Sequence, residues 1–124
     1  MWVFTRDGFF SVVKKECKAD EVMVRARQKS DLLGLGKKLN LTLCIQTDAG
    51  TDYAFRAVLK QSDWAGYLAD EAMLLDYENF KGSLSKKDHE RQNAYFQCWR
   101  ALLNWQEQSR PKNRNRSGVR VKNA

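Results

Sequence analysis

Residues 2–13 read WVFTRDGFFSVV, and this stretch decides the fold class. Aromatic and β-branched residues dominate both halves of it, which favours strands over a helix. The dipeptide Asp7-Gly8 lies between the halves, and Asp-Gly between two β-prone runs indicates a tight hairpin turn. The stretch therefore predicts an antiparallel β-hairpin.

Three later segments show the period-two pattern of strands with one apolar face. Residues 22–27, VMVRAR, alternate so that Arg25 and Arg27 lie on the face opposite the apolar one. Residues 41–46, LTLCIQ, alternate in the same way. Residues 53–59, YAFRAVL, place Tyr53 and three further apolar residues on one face and Arg56 on the other. The last two segments predict a second hairpin.

Helical spacing and capping residues predict three helices. Ser30 has the residue type of an N-cap and precedes a leucine-rich segment over 32–39. Residues 62–78 carry apolar residues at helical spacing with acidic residues beside them. Ser85, followed by an acid three residues on, predicts the cap of a final helix over about 86–108. The two tryptophans of that helix are expected to anchor the core.

The predicted order of elements is β-β-β-α-β-β-α-α. This order predicts an α+β fold with a mostly antiparallel five-stranded sheet and helices packed on one face. The length of 124 residues suits one domain. We expect that domain to span residues 1–109 and a flexible basic tail to follow over 110–124, because Pro111 ends any helix before it.

The net charge of +7 is concentrated in that tail. Residues 1–109 contain 16 basic and 15 acidic residues, and residues 110–124 contain six basic residues and no acid. The six are Arg110, Lys112, Arg114, Arg116, Arg120 and Lys122. A short basic arm attracts nucleic acid, an anionic membrane surface or an acidic protein, and it can also serve only solubility.

Two surfaces of the predicted domain are candidates for binding. Arg25, Arg27 and Arg56 could form a basic strip on the sheet that binds DNA or RNA, and a plain solvated sheet face is the alternative. The second candidate is an acidic face on the second helix that would bind a basic protein. Its residues are Asp63, Asp70, Glu71 and Glu78. A solvated helix face is the simpler explanation of these acids, and a face that attracts the basic tail is a further alternative.

No motif for catalysis, metal or cofactor binding is present in the sequence. His89 is the sole histidine, so a nucleophile–base pair lacks an obvious base. Three cysteines, far apart and odd in number, predict neither a disulfide framework nor a zinc site. No secretory signal and no membrane-spanning run occur. These features predict a cytoplasmic protein with reduced thiols and without membrane insertion, and an enzyme with an unrecognised site remains an alternative.

The sequence also resembles a family of small uncharacterised bacterial and bacteriophage proteins. The resemblance rests on the opening strings WVFTRDGFFSVV and VMVRAR, on DYENFK at 76–81 and on YFQCW at 95–99. It implies a small accessory or host-interaction protein and assigns no catalytic residue. A histidine often stands in that family where Phe96 stands here.

Together these observations predict a protein that binds a macromolecule as an accessory or regulatory factor, in a bacteriophage setting one that acts on a host protein or nuclease complex. Direct binding of DNA or RNA through the basic residues is the principal alternative.

Overall fold

The computed structural model describes residues 1–48 and 50–111. The chain forms two compact units, the first over Met1–Leu75 and the second starting at Asp76. Residues 1–109, expected to be one domain, contain the boundary between these units. Five of the six tail cations lie outside the described residues, namely Lys112, Arg114, Arg116, Arg120 and Lys122.

The first unit contains a five-stranded antiparallel sheet. Its strands are β1 (Trp2–Phe4), β2 (Phe9–Val13), β3 (Glu21–Ala26), β4 (Gln46–Thr47) and β5 (Phe55–Lys60). They lie in the order β1-β2-β3-β5-β4, and every neighbouring pair is antiparallel. The predicted α+β class and the predicted order of elements are confirmed.

Two helices, α1 (Lys29–Leu39) and α2 (Gln61–Met73), pack on one face of this sheet against β3 and β5. The face is apolar because alternate residues of each strand point to it. Its buried side chains are Phe10, Val12, Val22, Val24, Ala26, Ala57 and Leu59. The ring of Phe10 meets Trp64 and Tyr67 of α2 edge-on, at centroid distances of 5.8 and 6.0 Å. One continuous core therefore joins the sheet to both helices.

Polar contacts fix the β1–β2 turn to the two helices. Asp31 of α1 is buried, and its carboxylate accepts a hydrogen bond from the backbone N–H of Phe9 over 3.1 Å. Tyr67 of α2 donates its hydroxyl proton to Asp7 over 2.8 Å and shares a hydrogen bond of 2.8 Å with the hydroxyl of Thr5. Burial raises the pKa of Tyr67 above its ordinary value, so the phenol remains a donor at neutral pH.

Two predictions for this unit are wrong in detail. Helix α1 begins at Lys29, and Ser30 lies inside it rather than capping it. The expected strand over 41–46 pairs with β5 only from Gln46 onward. The chain leaves α1 through a left-handed residue, Asn40, and then packs against Gly36, where a Cβ would lie 2.8 Å from the carbonyl oxygen of Leu41. Leu43 and Ile45 are therefore half-buried against the core without pairing to the sheet, and Leu41 is exposed.

The second unit contains a 3₁₀ turn, Lys81–Ser83, and helix α3, His89–Ser109. Asp88 caps α3, accepting a hydrogen bond of 3.1 Å from the backbone N–H of Arg91, so the expected cap at Ser85 is wrong. The expectation that both tryptophans of α3 anchor a core is also wrong, because Trp105 is 68% exposed.

Candidate functional site

One row of side chains crosses all five strands on the sheet face opposite α1 and α2. The pairing register aligns Trp2 of β1, Ser11 of β2, Arg25 of β3, Arg56 of β5 and Gln46 of β4. At the usual strand spacing the row is about 19 Å long. Side chains alternate along each strand, and those of the core point to the helices. This row of aromatic, polar and cationic residues therefore lies on the other face.

Aromatic rings lie beside the row. The ring of Phe9 packs edge-on against Trp2 at 6.0 Å and stacks with Phe4 at 4.6 Å. It lies 6.4 Å from the ring of Tyr53. Trp2 is 73% exposed, so most of its indole surface is in contact with solvent. The face therefore combines packed aromatic rings with one aromatic side chain that is available for contact.

Tyr53 joins the aromatic rings to the arginines. Its ring centroid lies 4.7 Å from the guanidinium carbon of Arg25 and 4.2 Å from that of Arg27, which is the geometry of cation–π contacts. The strand pattern predicted Tyr53 on the apolar face, and this prediction is wrong. Strand β5 begins only at Phe55, so the alternation of the strand does not extend back to Tyr53.

The structure brings the three sheet arginines predicted from the sequence together on this face. We call Trp2, Phe9, Tyr53, Arg25, Arg27 and Arg56 the arginine–aromatic cluster. The sequence reasoning missed the three aromatic members. A signal for Trp2 and Phe9 exists in β1 and β2, where large apolar residues occupy both faces of the strand and not only the alternate positions that a core requires.

Acidic residues from the connecting loops neutralise two of the arginines. Arg27 pairs with Asp52 over 3.1 Å, and the Asp52 side chain is mostly exposed. Arg56 pairs with Asp48 over 3.4 Å and with Glu16 over 4.0 Å. The Arg27–Asp52 pair is exposed on both sides, and such pairs contribute about 0–1 kcal/mol, so a stronger anion can replace that carboxylate. The Arg56 side chain is mostly buried, but its two carboxylate partners are exposed.

Arg25 and Arg56 also bond to neutral groups. Arg25 Nη2 donates to Ser11 Oγ over 2.7 Å, and Arg56 Nη2 donates to Thr51 Oγ1 over 2.8 Å. The Nε atoms of both arginines are buried and have no hydrogen-bond partner among the described residues. The cluster thus holds guanidinium groups in fixed positions with part of their donor capacity unused.

The predicted acidic face is only partly formed. Asp63, Asp70 and Glu71 lie on α2, but that helix ends at Met73, so Glu78 is not on it and belongs to the second unit. Glu71 pairs with Lys38 of α1 over 3.4 Å. The role of these acids in binding a basic partner stays a prediction.

The second unit has a shallow pocket of about 470 Å³. It is lined by Asn79, Lys81, Gly82, His89, Gln92, Asn93 and Phe96. The ammonium group of Lys81 lies 4.0 Å from the ring centroid of Trp99. This cation therefore already makes a cation–π contact with an aromatic side chain. Arg110, the one described tail cation, pairs with Glu107 over 3.4 Å.

Metal-binding and membrane-spanning features were sought in the described part of the chain. Residues 1–48 and 50–111 contain no group of three or more His, Cys, Asp or Glu side chains placed to hold a metal ion. No helix within the same residues has the length and apolarity needed to cross a membrane. Cys17, Cys44 and Cys98 are free thiols.

Comparison with protein-family models, with curated proteins and with solved structures found no match. The resemblance to small bacterial and bacteriophage proteins therefore stays a prediction.

Proposed function

We propose that this protein is a small macromolecule-binding protein, an accessory or regulatory factor of the cytoplasm, whose arginine–aromatic cluster binds single-stranded nucleic acid. The observation that supports the proposal is the location of three arginines on the same sheet face as the exposed Trp2 and its neighbour Phe9.

Each part of the cluster matches a part of a single strand. Unpaired bases stack on aromatic side chains and on guanidinium planes, and phosphates pair with arginine. Trp2 offers an exposed indole for a base. Arg27 and Arg56 hold exposed carboxylates that phosphates can replace. A duplex keeps its bases inside the stack, so the cluster would favour the single strand.

The basic tail adds a long-range attraction to this contact. Residues 110–124 carry six cations and no acid, whereas residues 1–109 are nearly neutral. Each phosphate neutralised by a cation releases counterions, so the affinity should fall steeply with salt. Replacing the lysines and arginines of residues 112–124 with glutamine should flatten that salt dependence and leave the preference for single strands in place.

The proposal is tested by fluorescence anisotropy with a labelled oligothymidylate of about ten nucleotides. Trp2→Ala should weaken binding by about 1–3 kcal/mol, the usual value of one stacked base. Trp105→Ala is the matched control, because Trp105 is 68% exposed and Trp2 is 73% exposed. Equal losses from both substitutions, or no binding by the unmodified protein, would contradict the proposal.

A further inference from the structure

Arg25 differs from the other two arginines of the cluster in its charge environment. Arg27 pairs with Asp52, and Arg56 pairs with Asp48 and Glu16. No carboxylate of the described residues forms an ion pair with Arg25. Its contacts there are the hydroxyl of Ser11 and the ring of Tyr53.

This arrangement leaves a charge uncompensated. A guanidinium group cannot lose its proton in a protein, so Arg25 remains charged although it is half-buried. It also lies directly opposite Arg56 in the register of β3 and β5. Like charges in that position repel each other, and each Nε–H is a buried donor without a partner among the described residues. An anion bridging the two guanidinium groups would offset the repulsion between them.

The proposed strand supplies an anion of suitable geometry. A phosphodiester has two anionic oxygens, so one oxygen can accept from each guanidinium group. The carboxylates of Asp48 and Glu16 contact Arg56 alone. Arg25 lies two strands from Trp2 in the same row, which is about 10 Å. A short run of nucleotides can span that distance.

We propose that Arg25 and Arg56 together bind one phosphate group of the strand whose base stacks on Trp2. This inference rests on the proposed function and assigns its phosphate-specific contact. Arg27, which is exposed and paired with Asp52, contributes only its charge.

Two probes separate phosphate contact from base stacking. One is the oligothymidylate described above, and the other is a methylphosphonate oligothymidylate of equal length, which keeps the bases and lacks the backbone charges. Arg25→Lys keeps the positive charge and removes the fork of donors. We expect it to lower affinity for the charged probe about ten-fold and to leave affinity for the neutral probe unchanged. Arg100→Lys, an exposed arginine of α3 outside the cluster, is the matched control and should change either affinity less than about two-fold.

The outcomes distinguish this inference from the proposed function. If the unmodified protein binds neither probe, both fail. If it binds and Arg25→Lys behaves as Arg100→Lys does, or loses affinity equally for the two probes, only the phosphate contact fails. Circular dichroism establishes that each variant is folded. Should Arg25→Lys not fold, Arg56→Lys tests the other half of the pair on the same two probes with the same expected result.

Discussion

Arg25 of β3 lies directly opposite Arg56 of β5, and both side chains are on the sheet face away from α1 and α2. Two like charges in a cross-strand pair weaken a sheet unless other groups compensate them. The loops compensate Arg56 through the carboxylates of Asp48 and Glu16, whereas Arg25 has only the Tyr53 ring and no carboxylate among the described residues. The cations of this face are thus held by partners that a ligand can exchange.

Removing one of the competing carboxylates should strengthen binding. Asp52→Asn frees Arg27 from an exposed ion pair, so we expect affinity for the oligothymidylate to rise roughly two- to five-fold. The free energy of unfolding should change by less than about 0.5 kcal/mol, because exposed pairs contribute little to stability. Anisotropy titration and urea unfolding measure the two quantities.

Asp70→Asn is the control, since it removes the same charge from α2 and not from the cluster. An equal gain from the two substitutions would show that net charge alone governs the affinity and would contradict a local effect at Arg27.

The packing of the β1–β2 turn predicts opposite effects for two glycines. A Cβ at Gly8 would lie 2.4 Å from Cγ of the buried Asp31, whereas a Cβ at Gly66 in α2 meets nothing within 4 Å. Gly8→Ala should therefore destabilise the protein by about 1–3 kcal/mol through overpacking. Gly66→Ala should stabilise it by about 0.5–1 kcal/mol, because alanine is favoured over glycine inside a helix.

Thermal and urea unfolding of the two variants would test this pair. A stable Gly8→Ala protein would mean that Asp31 can move away without losing its bond to Phe9. Such a small change in stability would contradict the close packing of Gly8 against Asp31 in the structure.

Most of the sheet was predictable from the sequence, because alternate residues of its strands are apolar on the side that faces the core. In β3 the residues Val22, Val24 and Ala26 alternate with Met23 and Arg25, so the apolar face was predictable, as was the side on which Arg25 lies. The strand expected over 41–46 failed because Leu43 and Ile45 pack against the core, and Leu43 lies beside Gly36 of α1, without pairing to the sheet. A period-two pattern indicates that one side of an extended segment is buried. It does not show which element packs against that side.

The candidate site was predictable only in part for a related reason. Alternation placed Arg25, Arg27 and Arg56 on one side, but it could not show that Arg25 faces Arg56, because this depends on the register of two strands separated in sequence by a helix. The position of Tyr53 depends on the backbone of the loop before β5. Its contacts with the arginines are therefore tertiary and leave no periodic signal.

The cap of α3 predicts a pH dependence. The backbone N–H of Arg91 lowers the pKa of Asp88, which means that the folded state favours the carboxylate. The resulting stabilisation is present above the unfolded pKa, about 3.9, and is lost as the pH falls through the lower folded pKa. Asp88→Ala should cost about 1 kcal/mol at pH 7, and this cost should shrink below about pH 4.

Far-UV circular dichroism during urea unfolding at several pH values measures this dependence. Ser85→Ala is the control, because Ser85 does not cap α3 and its hydroxyl makes only a 3.4 Å contact with the N–H of Lys87. A larger loss of stability from Ser85→Ala than from Asp88→Ala would show that Ser85, and not Asp88, caps α3.

Tyr67→Phe tests the hydrogen bonds that join α2 to the β1–β2 turn. The substitution keeps the ring against Phe10 and removes the hydroxyl that bonds to Thr5 and Asp7. We expect a loss of about 1–3 kcal/mol at pH 7, because partly buried polar groups lose their partner.

The same hydroxyl predicts a pH dependence. Burial raises the pKa of Tyr67 in the folded protein, so the stabilisation by the hydroxyl is present below the unfolded pKa of about 10 and is lost as the pH rises above that unfolded pKa. From pH 10 to pH 11 the unmodified protein should therefore lose about 1 kcal/mol more than the variant does. Urea unfolding at pH 7, 10 and 11 measures the difference, and a gap between the two proteins that stays constant with pH would show that Tyr67 ionises as readily in the folded chain as in the unfolded one.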